Sequence, residues 1–200
     1  MKIQNITFIP LLIILCSMNV RAATPIEECK KLFDDGLYQQ ADIPCAKVAQ
    51  SGNLAAQVML GEIKDRQGDS EKTAFWWGRA AEAGSQPARN LLALKYYYGG
   101  TVFGPEKGWK KDYTKAFSIW KKDAEENVAT SQFMIGVMYQ KGQGTEKNLA
   151  EAWFWLKRAL ENNYKLATDV LIEISKEITP KQKQAGKEKL LKYQQKKTEI

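Results

Sequence analysis

Large apolar residues recur along this chain in three segments, 74–84, 117–127 and 153–163, that share one order of side-chain types. In each segment aromatic or branched apolar residues come first, followed by a basic residue, at least one alanine, an acidic residue and finally glycine or asparagine. The pattern returns after 43 and then 36 residues. Self-similarity at this period marks a stack of repeated supersecondary units.

Each unit is predicted to contain two helices. The first helix carries a small residue at one position, where a partner helix can approach closely: Gly61, Ala93 or Gly136. Because glycine inside a helix costs ~1 kcal/mol relative to alanine, its presence there indicates a packing requirement. The second helix supplies the large apolar surface, with Trp77 and Trp120 in the first two units. Burial of these faces against each other is expected to form one continuous core.

Glycine or asparagine is expected to end the second helix of each unit, because both residues tolerate the left-handed backbone of a C-cap. The residues concerned are Gly84, Asn127 and Asn163. The boundaries that follow are a partial repeat at 23–52, repeats at 53–84, 85–127 and 128–163, and capping helices at 164–200. The prediction is an all-α fold: an α-solenoid of antiparallel helix pairs with a C-terminal capping helix.

The order Ala-x-x-x-Leu-Gly-x-x-Tyr-x-x-Gly-x-Gly, followed by Ala-x-x-Trp-x-x-Lys/Arg-Ala-Ala-Glu-x-Gly, resembles the Sel-one-like repeat, which is related to the tetratricopeptide repeat. The third repeat carries it best, through Ile135, Gly136, Tyr139, Gly142, Gly144, Ala152, Trp155 and Arg158. The resemblance covers about 53–163 and implies a right-handed superhelix that serves protein–protein interaction, with no general catalytic residues. A few cysteine-rich relatives are linked to β-lactam or peptidoglycan binding, but their regular cysteine pair in each repeat is absent here.

Residues 1–22 are predicted to be a signal peptide. Lys2 precedes an apolar run at 8–16 that is too short to span a bilayer, and we expect cleavage after Ala22. A lipoprotein acylated at Cys16 is disfavoured, because bulky Leu15 stands where a small residue is expected. The remaining chain is expected to be exported to a bacterial periplasm, with secretion as the other possibility, and it contains no transmembrane segment.

Two cysteines, Cys29 and Cys45, remain after the signal peptide. An even pair in an oxidising compartment predicts a disulfide, and the alternative is two unbonded thiols that face the core. The pair lies in the partial repeat at 23–52, so the bridge is expected to staple the end of the stack.

The chain contains no histidine, which excludes His-dependent triads, His metal sites and an imidazole general base. Nucleophile motifs, phosphate-binding glycine loops and metal-ligand clusters are also missing from the sequence. We therefore expect neither catalysis nor a cofactor.

An inserted loop at 100–111 in the second repeat is the first candidate binding element. Phe103 and Trp109 are large apolar residues in a segment rich in Gly and Pro, and insertions in a solenoid often lie on the binding face. The alternative is that both side chains fold back to cover a helix end. Arg89, Tyr97 and Gln132 are the residues expected on the concave surface formed by the first helices.

The basic charge is concentrated at the C-terminal end. Segment 176–200 has eight lysines and three acidic residues, whereas 23–175 is neutral. Weak attraction to an acidic partner or an anionic surface is one interpretation. The favoured one is a solvated capping helix that keeps the stack soluble. Nucleic-acid binding is not expected, because the lysines do not interleave with aromatic residues.

These patterns predict a protein that works by binding another protein. The leading hypothesis is an immunity protein that neutralises a toxin or effector delivered into the periplasm. The first alternative is an adaptor in envelope assembly, secretion or host interaction. The second is an enzyme of the cysteine-rich repeat type that binds peptidoglycan or β-lactams.

Overall fold

The computed structural model describes residues 23–100 and 109–198, which form ten α-helices and no strand. In chain order these are α1 (Pro25–Asp34), α2 (Tyr38–Gln50), α3 (Leu54–Arg66), α4 (Ser70–Glu82), α5 (Gln86–Tyr98), α6 (Tyr113–Glu125), α7 (Ala129–Lys141), α8 (Leu149–Glu161), α9 (Ala167–Ser175) and α10 (Pro180–Thr198). The first eight form consecutive hairpins, and the second helix of each hairpin packs on the first helix of the next unit. The predicted all-α solenoid is confirmed. The predicted signal peptide, 1–22, lies outside the described residues.

Side-chain caps and left-handed residues fix the ends of the helices. Seven of the described helices begin at a side chain that accepts a hydrogen bond, of 2.9 to 3.4 Å, from the amide three residues further on: Thr24, Asn53, Asp69, Ser85, Asp112, Asn148 and Thr179. Each such cap stabilises its helix by ~1 kcal/mol. Gly84, Asn127 and Asn163 have φ values of 95°, 69° and 65°, which confirms their predicted left-handed backbone after the second helices.

A small residue on the first helix meets a large side chain on the second, as predicted. A Cβ on Gly61 would lie 2.3 Å from Cδ1 of Trp77, and a Cβ on Gly136 would lie 2.6 Å from Cγ of Leu156. The Trp77 indole Nε1 also donates a 3.0 Å hydrogen bond to the carbonyl of Val58. Neither glycine can gain a methyl group without displacing the helix or side chain that faces it.

Trp155 on α8 tests the assignment of the buried face. Its indole is 3% exposed and belongs to the core between the second and third repeats. We expect Trp155→Ala to destabilise the protein by ~3–5 kcal/mol, because the truncation leaves a cavity. Urea denaturation measures this difference. Phe75→Ala is the control, since Phe75 is 53% exposed and its loss is expected to cost under ~1 kcal/mol. Equal midpoints for the two variants would contradict the assignment.

A buried ion pair joins the first two repeats. Lys95 on α5 contacts Asp65 on α3, and the two side chains are 0% and 1% exposed. The Lys95 ammonium also donates a 2.9 Å hydrogen bond to the carbonyl of Gly100. Burial lowers the pKa of Lys95, and the hydrogen bond to Asp65 opposes that shift. The charge is tolerated in the interior because it is paired.

Removing Lys95 takes away the ion-pair partner of the buried Asp65 carboxylate. We expect Lys95→Met to cost ~3–5 kcal/mol of unfolding free energy, whereas Lys95→Met combined with Asp65→Leu recovers most of that loss. Guanidinium denaturation of the wild type, the single variant and the double variant gives the comparison. A double variant no more stable than the single variant would contradict this expectation.

A disulfide joins α1 to α2, as the sequence predicted. Cys29 and Cys45 are bonded with their Cα atoms 4.7 Å apart, and both are fully buried. Ala41, Ala49 and Leu60 belong to the same buried cluster, so the bridge also lies against α3. The bridge links the two helices of the first hairpin, which has a neighbouring hairpin on one side only.

Loss of the bridge is expected to destabilise the first hairpin most. The closed loop spans 16 residues, and the chain-entropy model gives ~3 kcal/mol for a loop of this size. Replacement of both cysteines by serine should lower the melting temperature and raise amide exchange in α1 and α2 before α7 and α8. Uniform exchange along the chain would contradict this location of the weakest unit.

The last two helices close the stack without forming a tight hairpin. Thr179 Oγ1 accepts a 3.3 Å hydrogen bond from the amide of Gln182, and Thr179 is therefore the N-cap of α10. The buried Gly186 lies against α8, and Arg158 donates a 2.7 Å hydrogen bond to the Tyr193 hydroxyl. The capping role predicted for this helix is confirmed. α9 and α10 both pack on α8 but have almost no contact with each other.

Candidate partner-binding surface

A groove of about 530 Å³ crosses the first helices of the first three units, α1, α3 and α5. Its apolar lining consists of Ile26, Phe33, Ala55, Val58, Met59 and Pro87. Polar residues lie at its edges: Lys30, Asp34, Asn53 and Ser85. A surface of this kind suits the apolar side chains of another polypeptide.

The polar edge of the groove is mostly committed to the fold. Asn53 and Ser85 cap α3 and α5, which occupies their side-chain oxygens with backbone amides. Lys30 and Asp34 are exposed, carry opposite charges and stand one turn apart on α1. The groove therefore has no net charge of its own, and apolar burial dominates what it can offer a partner.

Arg89 and Gln132, which the sequence placed on the concave surface, serve instead at the junctions between units. Arg89 Nε donates to Asp123 at 2.5 Å, and its guanidinium also reaches Glu126 at 3.0 Å. Gln132 is fully buried and donates to the carbonyl of Ala124 at 3.2 Å. The prediction that Gln132 is exposed to a partner is wrong, and Arg89 is held in ion pairs.

The repeat alignment explains this placement. Gln57, Arg89 and Gln132 occupy one position of the repeat, and Gln57 likewise donates to the carbonyl of Ala49 at 3.1 Å. Each side chain therefore hydrogen-bonds to the end of the second helix that precedes it, including Arg89 through the carbonyl of Gly84 at 3.2 Å. A polar residue that recurs at repeat spacing here hydrogen-bonds one unit to the next.

Tyr97 also lies inside the stack. Its side chain is 8% exposed, packs on the Tyr113 and Trp120 rings, and donates a 2.7 Å hydrogen bond to Gln143. Burial raises the pKa of the Tyr97 hydroxyl. The prediction that Tyr97 lines the concave surface is wrong. Its neighbour Tyr98 is the exposed ring, at 58%.

Trp109 is packed against the body of the protein. Its ring lies 5.2 Å from that of Tyr96, 5.9 Å from the ammonium of Lys95, and beside the cluster that contains Trp77. The half-buried ring matches the interpretation in which the loop aromatic covers a helix end. Phe103 lies outside the described residues, and its role in binding stays a prediction.

Sequence reasoning missed the residues of the groove. Val58 and Met59 follow the buried Ala56 and Gln57 on α3 and are half-buried. Val58 packs against the cluster around Trp77 and Met59 against the cluster around the disulfide, and both also line the groove. Their role depends on α1 and α5, which the sequence does not place relative to α3.

Within 23–100 and 109–198, no three Cys, Asp or Glu side chains come together in a way that could hold a metal ion. Over the same residues, none of the helices combines the length and the apolar character needed to cross a membrane.

The stacked hairpins and the groove define a class of protein, a helical-repeat scaffold for protein–protein interaction. The sequence model of the Sel1 repeat matches residues 54–85, 86–127 and 129–164, which is more than half of the chain. The chain therefore belongs to the Sel1 repeat family, as the resemblance of its motifs predicted.

Curated relatives are longer proteins. The chitin synthase regulator SKT5 of Saccharomyces cerevisiae is 28% identical over 163 residues, which cover 75% of this chain and 22% of the relative. The ERAD-associated E3 ubiquitin-protein ligase component HRD3B of Arabidopsis thaliana is 26% identical over 105 residues, 52% of this chain and 16% of the relative. The chain thus spans about a fifth of the length of these relatives.

A solved bacterial structure shares the fold. It is a protective antigen present in uropathogenic Escherichia coli strains and displays an SLR fold. The two chains superpose with a TM-score of 0.68 at 28% identity, over 84% of this chain and 37% of the other.

Proposed function

We propose that this chain is an exported periplasmic protein whose groove across α1, α3 and α5 binds another protein. The observation that carries the proposal is the groove itself, an apolar surface of about 530 Å³ shared by three successive units. Its lining is apolar with capping residues at the edge, and this chemistry suits recognition of a polypeptide.

The disulfide supports export. Cys29 and Cys45 are bonded in the interior of the first hairpin, and structural disulfides of this kind persist in oxidising compartments. The apolar segment at 8–16, which precedes the described residues, fits the same route.

The function that we propose is immunity: the chain occludes a toxin or effector that arrives in the periplasm. Occlusion favours a binder that is rigid before its partner arrives, since ordering the surface on binding would reduce affinity. Both ends of this stack are fixed, the first by Cys29–Cys45 and the last by the contact of Arg158 with Tyr193. This pre-organised array can present one surface without rearrangement.

Ala55 allows a test of the groove that leaves the fold intact. It is exposed, lies in the first turn of α3, and lines the groove. Ala55→Glu puts a carboxylate against the apolar lining and is expected to weaken partner binding at least about tenfold. A strain that lacks the chain, grown in contact with its parent, should lose viable cells. Wild-type chain should restore survival, and the Ala55→Glu variant should not.

Ala185→Glu is the matched control, because Ala185 is an exposed alanine of α10 outside the groove and the charge change is the same. Colony counts measure survival, and crosslinking identifies the captured protein. If survival never depends on the chain while crosslinking through the groove captures an envelope component, the chain is an adaptor. If Ala55→Glu leaves capture unchanged, the partner binds a surface other than the groove.

A further inference from the structure

The last two helices leave a cleft where every earlier unit has a closed hairpin. α9 and α10 pack on the same helix, α8, but almost do not touch each other, whereas the paired helices of each preceding hairpin pack together. The space between them has a volume of about 430 Å³. The terminal unit therefore exposes a surface that the other units bury internally.

The floor of this cleft is apolar. Side chains from α8, from α9 and from the turn before α10 form it: Trp153, Leu160, Leu171, Ile172 and Ile178. Thr168, Leu171, Ile172 and Ser175 supply one face of α9 at helical spacing. Ile172 is 55% exposed, so part of this floor is uncovered.

Three lysines are the ionisable residues of the lining: Lys157 on α8 and Lys183 and Lys187 on α10. Within the described part of the chain, no carboxylate forms an ion pair with any of them. Lys157 lies over the Trp153 ring, with its ammonium 5.5 Å from the ring centroid. The cleft is thus positively charged over an apolar floor.

Acidic residues of the neighbouring segments are directed to other partners. Glu161 accepts a hydrogen bond from Gln194 at 2.8 Å, Glu173 accepts one from Gln140 at 3.4 Å, and Glu177 pairs with Lys147 at 2.8 Å. Asp169 is exposed on α9 outside the lining. Glu188, which follows Lys187 on α10, is exposed and accepts a 3.0 Å hydrogen bond from Gln184. None of these carboxylates therefore forms an ion pair with the lysines of the cleft.

We propose that this cleft binds an acidic amphipathic helix of a partner protein. Its apolar stripe would cover the floor, and carboxylates beside that stripe would meet Lys157, Lys183 and Lys187. A helix fits because the cleft replaces a helix–helix contact of the earlier hairpins, and such grooves are a recurrent mode of peptide recognition. A second copy of this chain is a poor occupant, because its own terminal helix carries the same positive charge.

This surface is separate from the groove across α1, α3 and α5, and the proposal does not depend on that groove. The groove is apolar with balanced edge charges, whereas the cleft is apolar with lysines only. The two surfaces therefore select partners by different chemistry, and each can be tested without the other.

A defined peptide tests the cleft on the purified protein. The probe is a capped helical peptide of Leu, Ala and Glu, with its leucines in one stripe flanked by glutamates. We expect it to shift the amide resonances of Ile172, Ser175 and Lys187 on titration into the ¹⁵N-labelled protein. The same peptide with lysine in place of each glutamate should bind at least about tenfold more weakly, because the cleft would repel it.

Charge reversal at the cleft supplies the matched variant. Lys183→Glu combined with Lys187→Glu should weaken the acidic peptide about tenfold or more. Lys192→Glu combined with Lys196→Glu makes the same change in charge on an exposed part of α10 outside the lining and should leave binding unchanged. Melting curves verify that both variants remain folded.

Three results would overturn the proposal. The first is an acidic peptide that leaves the cleft resonances unmoved. The second is equal binding by the two reversed variants. The third comes from vesicles of phosphatidylglycerol and phosphatidylethanolamine: if they bind in a Lys183- and Lys187-dependent manner and the acidic peptide does not, the cleft takes a membrane surface and not a helix.

Discussion

A glycine on the first helix faces a large side chain on the second in two of the hairpins, α3–α4 and α7–α8, and this contact sets how closely the two helices approach. The Trp77 indole occupies the space that a Cβ on Gly61 would need, and Leu156 does the same at Gly136. In the first of these contacts the indole also donates to the carbonyl of Val58, which fixes the ring orientation. Val58 thus belongs to the core of the hairpin through its carbonyl and its half-buried side chain, and the same side chain lines the groove.

That double role connects packing to binding. α3 packs on α4 through Trp77 and on α2 along another side, and its N-terminal half, which carries Val58 and Met59, lines the groove beside α1 and the start of α5. The position equivalent to Val58 in the next unit is Asn90, and its side-chain oxygen accepts a 3.0 Å hydrogen bond from the Trp120 indole. The Asn90 side chain is therefore used in packing the hairpin, and this unit lacks the apolar residue that Val58 contributes to the groove.

The repeat pattern predicted those features that depend on one unit or on two adjacent units. The glycine contacts, the left-handed Asn127 and Asn163, and the Cys29–Cys45 bridge each involve residues close in sequence or at repeat spacing. Surface residues could not be predicted in the same way. Arg89 and Gln132 look like surface polar residues until the junction partners at Asp123 and Ala124 are known. The gap between α9 and α10 could not be predicted either, because their sequences predict two helices but not the distance between them.

The surfaces at the two ends of the stack differ in the interactions that they can make with a partner. At the first end the groove is apolar and its edge charges, Lys30 and Asp34, are of opposite sign, so its affinity depends on buried area and weakly on salt. At the last end Lys157 and Lys183 carry unpaired charge beside an apolar floor. Charges of this kind raise the association rate and orient the partner more than they increase its affinity, and salt screens them. A partner held by the groove alone would therefore keep its affinity at high ionic strength, while one held by the cleft would lose the part that its charges contribute. A binding assay at two salt concentrations separates the two surfaces.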